Sequence, residues 1–586
     1  MADVSIEGME KTEALQVDVA ILGSGISGAT LALIFVRQGL RVAFLDPTPP
    51  PRLALGESTI TPTAFWMHAL AERYDVPELH TIASAASLNR HVAPTSGVKK
   101  NFGFVLHQEN SDVLSDAWQV NIPGSQSSLT GESHLFRQDV DAFLHQSAIK
   151  SGAHFIEEAA TGIVIEEEGV KLETPSGTRI HSKLIIDAAG HSSPLARHLG
   201  LRESTVRYRT QSRAIFAHMR NVTPFDHVKT GNDFAKTWHR GTLHHLFPGG
   251  WIWVIPFNNH PRSRNPLCSV GLNLDLHRHP TEPGSDPQSE WAEIISRYPL
   301  IERQFERAEP EKAWASTGRL QYSSSQTVGD RFILTAQAAG NIDALYSRGL
   351  LNTFQSMSTL VRLVLDAFKG RGEFSRNHFL PLERQQQSLL ALHDNLVAGA
   401  YEALSDPGLV SSWLALWGLS ERLTVLHILE PFRRYAESKD PKELDFDQDA
   451  PETCIKHHEA FLELLNSAQL SMQDFRAGKL SASSTRKEIA RHCAAARSSF
   501  WVDPDVSFPL GGYPQAWQKK RARFQRWEGR LIDLKRSLPL SRGGLGQFDL
   551  DHYDGSATQT MTRIFLQGDR LANWLHLDSG TRGSVE

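Results

Sequence analysis

The sequence predicts an α/β protein with a doubly wound nucleotide-binding layer, an antiparallel sheet inserted into that layer, and a helical C-terminal domain. Three observations predict it. The chain opens on a βαβ unit between Val17 and Asp46. Strand-like runs then alternate with helical segments as far as about Gly370. Beyond that point long helical periodicities dominate and strand-like runs become scarce.

The opening unit reads as an apolar strand, VDVAIL, a glycine-rich turn, an amphipathic helix over 26–38, and a second strand, RVAFLD. Gly23, Gly25 and Gly28 form G-x-G-x-x-G directly after a strand and at the start of a helix, the context the motif needs. The first glycine permits the tight turn and the second lets a pyrophosphate approach the backbone. The third lets helix and strand pack, and the helix N-terminus supplies positive potential. Asp46 follows at the end of the second strand, where a carboxylate can accept hydrogen bonds from a ribose; the alternative is a turn aspartate before Pro47. The position of the unit within the first fifty residues favours FAD over NAD, by fold-level analogy.

After the opening unit, FGFVLH, TGIVIEE, KLIIDAAG, WIWVIPF, SVGLNLDL and RFILTA are strand-like, and 139–151 is helical. Asp187, ending the KLIID run, caps a turn in this reading. Helical segments are expected over 382–404, 409–438, 457–477 and 484–499, with a Pro- and Gly-containing break at 504–514 and a last helical stretch over 515–538. The expected organisation is a tail over 1–16, a core over 17–370 and a helical domain over 371–586 that covers the substrate end of the site.

Composition narrows the function classes. A chain of 586 residues exceeds one compact core, and 40% hydrophobic with 22% charged residues is ordinary for a soluble enzyme. The net charge of −5 is spread without a basic stripe, which argues against a nucleic-acid groove or a polybasic membrane patch. The densest basic run, 519–526, is interleaved with Trp517, Phe524 and Trp527 and reads as one face of a solvated helix. Three widely spaced cysteines suit a reducing cytosol. Cys454 with His457 and His458 has no second ligand pair at zinc spacing, so no metal is expected. The N-terminus lacks the pattern of a secretory signal and no run of ~18 apolar residues occurs, so a cytoplasmic protein is expected. No H-E-x-x-H and no G-x-S-x-G in its strand–turn–helix context are present, which removes the hydrolase readings.

Four further motifs carry a resemblance: PRLALGEST (51–59), SGVKKNFGFVLH (96–107), GTLHHLFPGGWIWVIPFNNHPRS (241–263) and NIDALYSRGL (341–350). Together they are similar to the flavin-dependent halogenases, and the 96–107 segment resembles the pyrrole-halogenase branch, that of pyrrolnitrin biosynthesis, more than the tryptophan-halogenase branch. The resemblance spans about Val17 to Gly370. It implies a glutathione-reductase/aromatic-hydroxylase-like FAD fold, FADH2 from a separate flavin reductase, dioxygen, and chloride or bromide. The implied substrate is an electron-rich aromatic of pyrrole or phenol type in natural-product biosynthesis, free or carrier-protein-bound, with no nucleic-acid or membrane partner.

WIWVIP matches the family's W-x-W-x-I-P pattern in full. The resemblance implies that Trp251, Trp253, Ile255 and Pro256 wall the flavin from the substrate, so that hypochlorous acid travels through a tunnel to a lysine. That lysine hydrogen-bonds the oxidant or becomes a chloramine, for which an amine is apt because burial lowers its pKa and frees a lone pair. Lys99 and Lys100 are adjacent, and alternation along a strand points only one of them into the tunnel. The family pattern selects Lys99, with Lys100 as second choice.

The resemblance also implies halide and flavin contacts at the backbone amides of Arg348 and Gly349, with Leu350 against the flavin. It implies flavin contacts from Glu57 and Ser58, and cofactor bracing by Arg137. Two departures bear on the flavin ribityl contacts: the usual Asp-Pro reads Asp343-Ala344, and the usual Gly-Asp pair reads Ala336-Gln337. His244 and His245 are candidate bases for a phenol or pyrrole, against a default of packed, hydrogen-bonded histidines. The rival readings are a flavin aromatic monooxygenase and a flavin-binding protein that has lost turnover.

Overall fold

Short apolar strands joined through helices build the nucleotide layer. In the computed structural model, which describes residues 13–115, 118–123, 132–228, 238–280, 284, 286–370, 373–445 and 452–496, a six-stranded sheet runs in the order Val328–Gly329, Phe332–Leu334, Leu184–Asp187, Val19–Leu22, Val42–Leu45, His154–Ile156. All neighbours in it are parallel except the first pair. Val19–Leu22, Val42–Leu45 and Leu184–Asp187 are buried at every position, the pattern of strands covered on both faces. The Ile26–Arg37 and Arg137–Lys150 helices pack on the layer. The 519–526 run, the 504–514 break and the 515–538 stretch lie outside the described residues, as do the side chains of Cys454, His457 and His458.

The inserted sheet is larger. Its main path is Gln119–Pro123, Asn101–Leu106, Thr242–Phe247, Gly250–Pro256, Cys268–Asp275, Ser212–Arg220, Glu309–Pro310, with Ala315–Ser316 also on Ser212–Arg220. It is antiparallel apart from the pair Asn101–Leu106 and Thr242–Phe247, which runs parallel. A separate two-stranded ribbon pairs Gly97–Lys99 with Glu132–His134. The chain therefore changes sheets between Lys99 and Asn101, so the two adjacent lysines stand at a corner rather than along one strand.

Beyond Gly370 the helices are Arg376–Ala403, Pro407–Ser438, Glu452–Arg476 and Ala482–Ala496. The first two begin earlier than apolar periodicity suggests because their starts are set by caps. Ser375 accepts from the His378 amide, and Asp406 accepts from the Leu409 amide at 2.9 Å with Pro407 in the first turn. These helices do not hold a core of their own. One buried cluster runs from Val19 and Phe44 through Trp66, Leu351 and Phe354 to Trp413, Leu464 and Ile489. Each fully buried Leu or Phe in it contributes roughly 1.5–3 kcal/mol, so both sides of residue 370 stabilise one interior. Among the described residues no helix is long and apolar enough to cross a membrane, and no group of three or more His, Cys, Asp or Glu side chains could hold a metal ion.

Candidate active site

The glycine turn leaves no room for side chains where the chain must fold tightly. Gly23 has φ +94°, and a Cβ there would lie 2.8 Å from the Ala188 carbonyl oxygen. A Cβ on Gly28 would lie 1.9 Å from the Gly23 carbonyl oxygen. At Gly25 the first neighbour is the end of a side chain, Asp141 Oδ2 at 3.4 Å, so this face stays open to a ligand. The helix that follows has no side-chain cap from Gly25 and no acidic residue in its first turn. An open glycine face beside a helix N-terminus fits a diphosphate, so these residues suit FAD.

Asp46 is buried. Its Oδ2 accepts from the Ser24 amide at 2.8 Å, the Ser24 hydroxyl at 2.9 Å and Arg52 Nη2 at 2.9 Å, while Oδ1 accepts from the Thr48 amide at 3.0 Å. Arg137 holds Asp141 through two hydrogen bonds of 2.7 and 2.8 Å and donates to the carbonyls of Leu55 at 2.6 Å and Gly56 at 3.2 Å. Asp141 in turn accepts from the Ile26 amide at 3.2 Å, so Arg137 fastens the Gly56–Glu57–Ser58 loop to the glycine turn. Asp187 is fully buried and caps its own turn, accepting from the amides of Ala189 and Leu195 and the hydroxyl of Ser193 at 2.8–2.9 Å.

Glu57 points into the protein, where its Oε1 meets His218 Nε2 at 2.6 Å. Burial lowers the His218 pKa, but the hydrogen bond and charge of Glu57 outweigh it and leave the imidazole above its ordinary value. Ser58 Oγ lies 3.0 Å from Thr242 Oγ1 and accepts from the Ser347 hydroxyl at 3.2 Å. The loop is thereby joined to the segment before Arg348. There Tyr346 and Ser347 adopt left-handed backbone, φ 73° and 55°, and the Arg348–Lys369 helix starts at once without a side-chain cap. The amides of Arg348, Gly349 and Leu350 sit in the first turn, where no intrahelical acceptor exists. The Arg348 guanidinium is buried and pairs with Glu421 of the Pro407–Ser438 helix. Burial pushes the Glu421 carboxyl up, with Arg348 opposing it.

Lys99 is completely buried and Lys100 half-buried. Lys99 Nζ donates to the Thr59 carbonyl at 2.8 Å, stands 3.5 Å from Glu132 Oε2 and lies 3.8 Å from the centre of the Phe102 ring. Burial pushes the ammonium down to about 8, against the pull of Glu132. Around it is a packed cluster of aromatic rings. His244 stacks against both Phe102 and Phe104 at 4.7 Å from each, the two phenyl rings being 5.1 Å apart, and Trp417 lies 5.0 Å from Phe102 and stacks on Tyr346 at 5.0 Å. Trp251 borders His244 at 5.4 Å and Trp253 at 5.9 Å. Trp251, Trp253, Ile255 and Pro256 are all buried on one strand, and the Pro256 carbonyl accepts from His134 Nδ1 at 2.8 Å.

The two candidate bases part company across their strand. His244 Nδ1 donates to the Gly103 carbonyl at 2.9 Å, which makes Nε2 an acceptor, and burial holds its pKa down to about 3. His245 faces the other way, 2.9 Å from His107 Nε2 and 2.6 Å from Gln304 Oε1, and belongs to the packing there.

The profile of the tryptophan halogenase family matches residues 18–371. Monodechloroaminopyrrolnitrin halogenase PrnC of Pseudomonas fluorescens is 38% identical over 502 residues, 85% of this chain and 86% of its own. The chain belongs to the flavin-dependent halogenases. Tetracycline 7-halogenase of Kitasatospora aureofaciens is 34% identical, over 84% of this halogenase and 88% of its own chain. The crystal structure of halogenase PltM in complex with phloroglucinol and FAD has a TM-score of 0.77 at 31% identity, covering 84% of this chain and 99% of that one. As a member of this family the halogenase uses FAD, in reduced form, with dioxygen and halide.

Several residues of the halogenase site carry no signal in the sequence. Glu132 and His134 sit in a three-residue strand without a motif, and Glu421, Trp417 and Tyr401 lie on helices whose apolar pattern reads as ordinary packing. Only folding brings them to Lys99 and Trp251. Phe102 was legible as a strand residue alone, since its role depends on the corner that turns Lys99 over its ring.

Proposed function

We propose that this halogenase chlorinates, and with bromide brominates, an electron-rich ring of phenol or pyrrole type, with Lys99 delivering the halogen. The observation that carries the reading is the Lys99 ammonium, completely buried over the Phe102 ring beside the aromatic cluster of Phe104, His244, Tyr346 and Trp417. A flat, uncharged, electron-rich ring suits aromatic surroundings of this kind, because stacking and burial favour it and a charged substrate would lose its hydration. Phloroglucinol, the ligand in the PltM structure, is itself a phenol.

In this reading Gly23, Gly25 and Gly28 hold the FAD diphosphate, Asp46 its ribose, and Glu57, Ser58 and Leu350 border the flavin, with Arg137 bracing the loop. The amides of Arg348 and Gly349 hold the halide, and Trp251, Trp253, Ile255 and Pro256 separate the flavin side from the substrate side. Reduced FAD, taken from a separate flavin reductase, supplies with dioxygen and halide the hypohalous acid. At Lys99 the neutral amine attacks the halogen: an N–Cl bond forms, the Cl–O bond breaks, and the amine proton leaves with hydroxide as water. Transfer to the ring forms C–Cl, releases the ring proton and restores the amine. His244 stays neutral and offers Nε2 as a hydrogen-bond acceptor to the substrate O–H or N–H.

The test is a panel of pyrroles, phenols and indoles assayed with FAD, a flavin reductase and chloride or bromide, read by mass spectrometry. Halide-dependent products from phenols or pyrroles are expected. Hydroxylated product without halide, or NADH oxidation without the reductase, favours the monooxygenase. Bound FAD with no turnover on any member of the panel favours the flavin-binding protein without activity.

A further inference from the structure

The tryptophan strand is tied to the C-terminal helices by one phenol. Trp251 Nε1 donates to Tyr401 Oη at 3.1 Å, and Tyr401 Oη donates to Asp343 Oδ2 at 3.1 Å. Asp343 also accepts from the Ser212 hydroxyl through the same oxygen and from the Leu345 amide at 3.0 Å through the other. Burial and the nearby Asp343 charge hold the Tyr401 phenol well above its usual range, so it keeps its proton and the direction of the chain of bonds is fixed from indole to carboxylate. Three segments meet at Tyr401 Oη: the wall strand, the turn that leads into Arg348, and the Arg376–Ala403 helix. An indole N–H inside a protein needs an acceptor, and Tyr401 is the one this structure gives Trp251.

We infer that Tyr401 is a positioning residue for the halogenation reaction: it fixes the ring of Trp251 and registers the wall against the halide turn, so that oxidant passes to Lys99 rather than escaping. The inference rests on the reading of Trp251 as part of that wall. It extends the site onto a residue whose own segment has no recognisable motif. Its action is on partition, not on chemistry at the ring, because its hydroxyl bonds to Trp251 of the wall strand and to Asp343 of the turn.

The test compares the full-length wild-type chain with Tyr401→Phe, Trp251→Phe and the double variant, each checked for FAD binding and thermal unfolding. Tyr401→Phe is expected to bind FAD normally and to lower halogenated product per reduced FAD consumed at least threefold. The missing electrons appear as hydrogen peroxide or as hypohalous acid caught by a freely diffusing trap. Trp251→Phe breaks the same hydrogen bond from the other side, so the double variant should leak no more than the worse single one. A readout independent of turnover is the indole N–H of Trp251 in the nitrogen-15 spectrum of the flavin-free protein, assigned by its loss in Trp251→Phe, whose exchange with solvent should quicken at least tenfold in Tyr401→Phe. Wild-type partition and exchange in Tyr401→Phe, or additive leakage in the double variant, overturn the inference. If Tyr401→Phe does not fold, Tyr401→His decides: leakage with faster exchange of the Trp251 indole supports the inference, and wild-type partition and exchange overturn it. If the wild-type protein forms no halide-dependent product, the functional reading fails first, and the exchange measurement still judges the Trp251–Tyr401 bond.

Discussion

Lys99 is a cation whose pKa the fold has moved into the working range, down to about 8 by burial, with Glu132 at 3.5 Å resisting the shift. Lys99→Ala should retain FAD and lose halogenation by about 10²-fold or more, the scale set by losing a nucleophile or proton-transfer group; substantial remaining activity would remove its role. The chloramine route requires the neutral amine, so kcat should rise with pH along a limb near 8. Glu132→Gln removes the group that favours the ammonium and should move that limb to lower pH; a limb that falls with pH would assign the work to the charged form instead. The stability sign follows from the same shift. Because the folded value lies below that of free lysine, ~10.4, the unfolded chain holds more protons between about 8 and that value. Stability relative to Lys99→Met should therefore improve as pH rises through this window, read from urea midpoints. Ala336 gives another residue-scale case: it adopts φ 51° at the position where related flavoproteins place glycine. Ala336→Gly should be neutral to stabilising by about 0.5–1 kcal/mol, since relief of left-handed strain exceeds the added freedom of the unfolded chain.

At the scale of elements, helix starts organise the site. The Ile26–Arg37 helix requires Gly28, because a Cβ there would meet the Gly23 carbonyl oxygen at 1.9 Å; Gly28→Ala should abolish FAD retention, measured by flavin absorbance of the purified protein. The Arg348–Lys369 helix opens on a buried guanidinium that pairs with Glu421 of a distant helix. Glu421→Ala leaves that charge buried and uncompensated, an expected cost of ~3–5 kcal/mol in urea unfolding, whereas Arg348→Met with Glu421→Met should recover most of it. The strand and helix positions of this layer were largely readable: the βαβ unit, the tryptophan strand and the long C-terminal helices follow from periodicity. Their partners were not. Periodicity reports which residues face an interior, and Glu421, Glu132 and Tyr401 are polar exceptions on apolar faces, visible only once the opposite element is known.

For the whole molecule, the shared interior is decisive. Trp417 packs on Phe102 and Tyr346, Glu421 pairs with Arg348, Tyr401 holds Trp251, and the buried cluster passes across residue 370 without a break. A chain ended at Gly370 should therefore be insoluble or lack bound FAD, rather than persist as an active core, as tested by expression and flavin content. The sequence by itself determined the family, the glycine turn, the tryptophan strand and the pair of lysines at 99 and 100, because each depends on residues close along the chain with a spacing that chemistry constrains. The family pattern preferred Lys99, but tertiary structure decided that it is completely buried and Lys100 half-buried, that Glu132 and Phe102 surround its amine, and that helices beyond residue 370 close the site. Those outcomes depend on a change of sheet at one corner and on packing between distant helices, and neither leaves a periodic trace in the residues it brings together.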